Sequence, residues 1–184
     1  MKVPELYEQI RDADTDVRDH LPLFVDLVVD LDAVRVCELG VRGGISTIAW
    51  LMGLERTGGR LWAIDINPAP FDHSRMTFVQ GDDCDQAVID QVPDDLDILF
   101  VDSSHLYSHT AMEIERWAPK VGDGGCIVFH DTAEERFDHH PDDEVPFPVR
   151  KAVEEAAHEL GWQVDWYENC HGLAVCWPPT EETA

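Results

Sequence analysis

The 184-residue sequence predicts an α/β domain with a mostly parallel sheet and helices on both faces. Three observations carry this. Short β-branched runs alternate with helical patterns along the chain. The central runs are apolar almost throughout, as strands covered on both faces are. The last two runs, 162–167 and 172–177, lie only a few residues apart, so they pair antiparallel at one edge.

Each element has its own signal. Residues 33–39 (AVRVCEL) read as a first strand, which enters a glycine-rich turn at Gly40. A helix follows, with Ile45, Ile48, Ala49 and Met52 at i, i+3, i+4 and i+7. Gly58-Gly59 is a turn, and 60–66 (RLWAIDI) is the second strand, closed by Asn67-Pro68. Residues 76–80 form a short third strand and 83–91 a short helix. Residues 96–101 (LDILFV) are a strong fourth strand ending at Asp102. Tyr107, Ala111, Ile114, Ala118 and Val121 mark the next helix. Gly124-Gly125 precedes a fifth strand at 126–130 (CIVFH). Val149, Ala152, Val153, Ala156, Ala157 and Leu160 mark the last helix, stopped by Gly161. One domain is expected at 33–180, with a short N-terminal helical cap at 1–32. The stretch 133–148 is long, polar and Pro-containing, which suits a lid or a plain surface loop.

Composition narrows the function. The formal net charge is −25, with 38 Asp and Glu against 13 Lys and Arg. Such a surface repels phosphate backbones and anionic lipid, which argues against nucleic-acid or membrane partners. Much of the acidity lies at 12–32 and 134–144 and reads as solvated surface. The five cysteines form no C-x-x-C pair, and three sit in apolar runs. The acidic N-terminal stretch has no apolar signal core, and Asp26 and Asp30 break the longest apolar segment. A reduced, cytoplasmic protein is expected.

Five motifs carry chemistry. In Glu38-Leu39-Gly40-Val41-Arg42-Gly43-Gly44-Ile45-Ser46 a strand runs through glycines into a helix, so backbone can approach a ligand. The spacing is not G-x-G-x-x-G, because Arg42 stands where a middle glycine would. Glu38 disfavours a pyrophosphate and favours a cationic ligand. Asp65, at the end of the second strand, is placed to accept hydrogen bonds from a ribose diol. Asp82 or Asp83 could bind an adenine amino group or cap the following helix. Asp102 and Asp131 each end a strong strand. If those strands are neighbours, the two ends lie about 5 Å apart, and the carboxylates need a shared proton or a cation. Oxygen ligands suit Mg²⁺ or Ca²⁺. Strand alternation points His130 to the opposite face, so Thr132 ranks above it as a ligand. His105, just beyond the sheet edge, is placed to act as a base. His139 and His140 with Asp142 and Asp143 read as solvated rather than as a metal cluster.

The run ELGVRGGIST, then AIDINP, GDD, DILFVDSSHLYSHTAMEIERWAPKVGDGGCIVFHDT and PVRKAVEE resembles class I S-adenosylmethionine-dependent methyltransferases. It is most similar to small-molecule O-methyltransferases of the macrolide and sugar type, and loosely to cephalosporin-hydroxylase-type proteins. The resemblance implies a Rossmann-like seven-stranded sheet of order 3-2-1-4-5-7-6. It implies that Glu38, Gly40 and Gly44, with Val41 and Ser46, hold the amino-acid end of S-adenosylmethionine. Asp65 and Ile66 would meet the ribose, Asp82 or Asp83 the adenine, and Asp102 the same crevice. It implies a divalent cation (Mg²⁺, Ca²⁺ or Mn²⁺) on Asp102 and Asp131, with Thr132 as a further oxygen ligand. Asp102 and His105 would then be catalytic. The acceptor would be a hydroxylated small molecule, and the short cap favours a homodimer that completes the pocket. A non-methylating relative of the same fold and an inactive cofactor-binding module are the alternatives.

Overall fold

The computed structural model describes residues 2–133 and 145–180. Seven strands form one sheet in the order β3-β2-β1-β4-β5-β7-β6, as expected. In chain order these are β1 Arg35–Leu39, β2 Arg60–Asp65, β3 Met76–Gln80, β4 Leu96–Val101, β5 Val121–His130, β6 Gln163–Tyr167 and β7 Leu173–Trp177. The first five pair in parallel, and β7 joins both β5 and β6 antiparallel. The helices are α1 Val3–Ile10, α2 Leu21–Asp30, α3 Ile45–Thr57, α4 Gln86–Ile89, α5 Tyr107–Trp117 and α6 Pro148–Leu160.

Period-2 alternation divides the strand side chains between two cores. Val36, Leu61, Ala63, Ile98 and Phe100 pack on one face with α1, α2 and α3. Cys37, Leu39, Ile64, Leu99 and Phe129 pack on the other with α4, α5 and α6. The N-terminal residues belong to the first core. Phe24 of α2 stacks on Trp50 at 4.4 Å between ring centroids and meets Phe100 at 5.0 Å. All three rings are fully buried. Losing one such ring costs about 3–5 kcal/mol, so α2 is anchored as firmly as a strand.

Three elements differ from their sequence signals, the first being the helix marked out to Val121, which ends at Trp117. The helix expected at 83–91 is one turn, Gln86–Ile89. Asp85 caps it by accepting the Ala87 amide at 3.0 Å, and the chain before it is a turn in which the Asp85 amide donates to the Asp82 carbonyl at 2.9 Å. The fifth strand begins at Val121 rather than at 126. A register shift between Leu96 and Ile98 carries the pairing from Val121 straight to Cys126, so the Gly-rich run lies in the irregularity between them. Residues 139, 140, 142 and 143, and most of the expected lid, lie outside the described residues. Among the described residues all five cysteines are free, and no helix is long and apolar enough to cross a membrane.

The β4–β5 register aligns Val101 with Phe129, so Asp102 and Asp131 emerge from adjacent strands at one sheet edge. Beside them, Gly40 ends β1 at φ +88°. A Cβ there would sit 2.1 Å from the Asp102 carbonyl oxygen. Only glycine allows this approach. Gly40→Ala should therefore destabilise the fold by about 3 kcal/mol, read by urea denaturation. A loss below about 1 kcal/mol would mean that the two strand ends separate freely.

Candidate active site

The glycine-rich loop is held from behind. Glu38 is fully buried, and its two carboxylate oxygens accept the Ser46 hydroxyl at 2.5 Å and the Thr47 hydroxyl at 2.6 Å. Burial pushes its carboxyl up to about 8, against the pull of those two hydroxyls. Glu38 thus stands behind the loop rather than in the crevice, and it acts there through the first turn of α3.

Asp65 fixes the loop from the side. Its Oδ2 accepts the Val41 and Arg42 amides, each at 2.9 Å, and its Oδ1 accepts the Asn67 amide at 2.8 Å. Burial opposes ionisation, but these amides hold the carboxyl below its usual range. Asp65 therefore braces the loop as well as facing the crevice.

Two cavities open along this loop. The first, about 390 Å³, is lined by Gly40, Val41, Gly43 and Ser46 of the loop, by Asp102, and by 14–17 of the N-terminal segment. The second, about 370 Å³, is lined by Asp65, Ile66, Asp82, Asp83, Asp102 and His109, among others. Gly40, Arg42 and Asp102 line both. Each is of ligand size, and together they make one crevice outside the carboxyl ends of the strands. Ile66 is 69% exposed, an apolar surface ready for a flat ring.

Asp83 is engaged by His109 of α5, whose Nε2 lies 2.8 Å from Oδ1. That hydrogen bond raises the imidazole pKa. Behind it Glu113 accepts the Ser103 hydroxyl at 2.5 Å, and burial pushes its carboxyl up to about 8. Asp82 turns to its own loop and accepts the Cys84 amide at 2.8 Å.

The strand-end pair is crowded with imidazoles. His105 Nε2 lies 2.7 Å from Asp131 Oδ2 and 3.9 Å from Asp102 Oδ1. Ligand atoms of Asp102, His105 and Asp131 all lie within 4.8 Å of one another. His130 overturns its expected orientation. Its Nδ1 stands 3.0 Å from Asp131 Oδ2 and 3.4 Å from Asp102 Oδ1. The reason is local: Asp131 has φ +62°, so regular strand alternation ends at this point. His130 Nε2 lies 3.2 Å from the Asp16 carbonyl and 3.0 Å from that of Cys170. Carbonyl oxygens only accept, so Nε2 carries a proton and donates it. Burial works to lower the pKa of this imidazole, but Asp102 keeps it raised.

Asp102 in turn stays ionised. Burial disfavours its charge, and the imidazoles of His105 and His130 beside it more than offset that. Its Oδ1 is buried and, among the described residues, accepts no hydrogen bond. Thr132 is buried as well, and among the described residues its hydroxyl has no hydrogen-bond partner. An under-satisfied carboxylate oxygen, a second carboxylate and a spare hydroxyl are donors that a hard divalent cation fits.

The comparisons decide the family. A methyltransferase domain family matches residues 37–132, just over half of the chain. The chain belongs to this methyltransferase family. No curated protein matches it in sequence. Among solved structures, the methyltransferase is similar to MycE of the mycinamycin biosynthetic pathway, in complex with Mg and SAH. The TM-score is 0.73 at 20% identity, covering 99% of this chain and 55% of MycE. It is similar to the SAH-bound methyltransferase PaMTH1 of Podospora anserina, with TM-score 0.68, 16% identity, and 96% and 87% coverage of the two chains. It is also similar to an O-methyltransferase from Bacillus cereus in complex with SAH, with TM-score 0.68, 17% identity, and 96% and 88% coverage.

Sequence reasoning missed three side chains of this methyltransferase crevice. Asp16 and His109 line it, and Glu113 backs it. Only His109 and Glu113 left a trace, an i, i+4 pair of ionisable residues on one helix face.

Proposed function

We propose that this methyltransferase uses S-adenosylmethionine to methylate a hydroxyl of a small molecule: a sugar, a polyol or a catechol-like natural product. The observation that carries the reading is the meeting of Asp102, His105 and Asp131 beside a ligand-sized crevice that Asp102 itself lines. The SAH bound in the neighbours supports the cofactor. The first cavity suits the methionine half, and the second suits the nucleoside half against Ile66, Asp65 and Asp83.

Methyl transfer is a displacement at a sulfonium carbon, and the protein chiefly aligns the reactants. Alignment supplies about 7–11 kcal/mol of such a barrier. The acidic crevice favours the cationic cofactor over its neutral product. His105 is the base: its Nε2–H donates to Asp131 at 2.7 Å, which leaves Nδ1 as the atom that takes the proton of the acceptor hydroxyl. Asp102 and Asp131, with Thr132, would hold a divalent cation. When bound, that cation lowers the pKa of an acceptor hydroxyl.

Calorimetric titration with S-adenosylhomocysteine, paired with methyl transfer to a panel of hydroxylated metabolites, tests the reading. Micromolar binding and transfer to at least one acceptor are expected. Absence of any binding heat would sink the cofactor assignment. Binding without transfer to any acceptor would favour the inactive binding module.

A further inference from the structure

We infer that Arg42 recognises the α-carboxylate of the cofactor's methionine half and so selects the intact cofactor over nucleosides that lack that group. The inference rests on the cofactor reading above and adds a specificity residue to it.

Among the residues described as lining the two cavities, Arg42 is the only arginine or lysine, and it lines both. Around it stand Asp14, Asp16, Asp65, Asp82, Asp83 and Asp102. A sulfonium and an ammonium are at ease in that field. A carboxylate is not, unless one fixed cation meets it. An acidic crevice that accepts a zwitterionic amino acid therefore needs a counter-charge at its anionic end.

Arg42 has the geometry for this. Its backbone is pinned, because its amide donates to Asp65 Oδ2 at 2.9 Å and its φ is +46°. A non-glycine residue held in that region is costly and tends to mark a working position. Its guanidinium reaches across the first cavity, where Nη1 donates to Asp16 Oδ2 at 3.0 Å. Among the described residues that is the side chain's one hydrogen bond. A guanidinium has five N–H donors in a planar fork matched to carboxylates. The side chain is 69% exposed, so its remaining donors can take a second carboxylate while Asp16 keeps the first. Asp16 thus orients the arginine. Burial opposes its ionisation, and the bond from Arg42 holds its carboxyl low.

The test compares two ligands that differ only in the carboxylate, S-adenosylhomocysteine and its decarboxylated form, S-adenosyl-3-thiopropylamine. Calorimetry on the unmodified protein should give at least ten-fold tighter binding of the former. In Arg42→Gln that ratio should fall below about two-fold, with S-adenosylhomocysteine weakened and the amine unchanged within about two-fold. Arg42→Lys, which keeps charge but not the fork, should fall between. If Arg42→Gln keeps the full ratio, or weakens both ligands equally, Arg42 does not read the carboxylate. If the unmodified protein binds neither ligand, the cofactor reading falls and takes this inference with it. Circular dichroism shows that each variant is folded before titration.

Discussion

Asp131→Asn should lower methyl transfer by about 100-fold or more while leaving S-adenosylhomocysteine affinity within about three-fold. The asymmetry comes from placement. Asp102 lines both cavities, whereas Asp131 lines neither and instead holds the His105 imidazole at 2.7 Å. The substitution therefore removes charge from the reacting side of the crevice and spares the cofactor side. Asparagine is the variant of choice because it tolerates the φ of +62° that Asp131 adopts. Alanine would add a backbone cost to the chemical one. Initial rates with a turned-over acceptor, beside calorimetry, read the two effects separately. A parallel fall in both would put Asp131 in cofactor binding. The same assay in EDTA tests the cation: equal rates with EDTA and with Mg²⁺ would remove it from the mechanism.

The second large effect is on stability against pH. Glu38 and Glu113 are buried carboxyls, each pushed up to about 8 in the folded protein. In the unfolded chain each titrates near its ordinary value of about 4.3. Between those limits the folded state binds more protons than the unfolded state, so stability falls as pH rises. At about 1.4 kcal/mol per unit, the loss is on the order of a few kcal/mol for each carboxyl between pH 5 and pH 9. Glu38→Gln keeps the shape and removes the charge, so its stability should decline less over that range. Urea denaturation at pH 5, 7 and 9 checks this, and coincident profiles for the two proteins would contradict it. Acid works the other way. Asp65 and Asp102 are held below their usual range, and their contribution is lost as pH falls through their folded values. Stability should therefore peak in mildly acidic solution.

Most of the architecture was legible because its signals are local. Leu96–Val101 and Met76–Gln80 are bounded by their own apolar runs and turn residues, and both lie as their patterns place them. The strand at Val121–His130 was half hidden. Its first residues, Val-Gly-Asp-Gly-Gly, carry turn chemistry, and of these only Val121 pairs with β4, ahead of a register shift. The resemblance supplied the strand order, which no periodicity encodes. At the site, residues set by strand ends were legible: Asp65, Asp102 and Asp131. Residues set by long-range packing were not. Asp16 reaches the crevice from a segment 26 positions before Arg42. His130 was misread because the alternation rule assumes an extended residue after it, and Asp131 is not extended.

The interior place of β7 bears on how the protein is made. During synthesis, β1 to β5 leave the ribosome first, and the outer edge of β5 waits for its partner. Its residues Ile127 to His130 pair with Leu173 to Cys176, about forty residues later. At roughly 5–20 residues per second, that apolar edge stays open for several seconds, a template for a neighbouring nascent chain. The arrival of β7 ends the hazard. The turn that delivers it brings the Cys170 carbonyl to His130, beside Asp102 and Asp131. Sheet closure and the fixing of the His130 imidazole beside the carboxylate pair are thus one event in the life of the nascent chain.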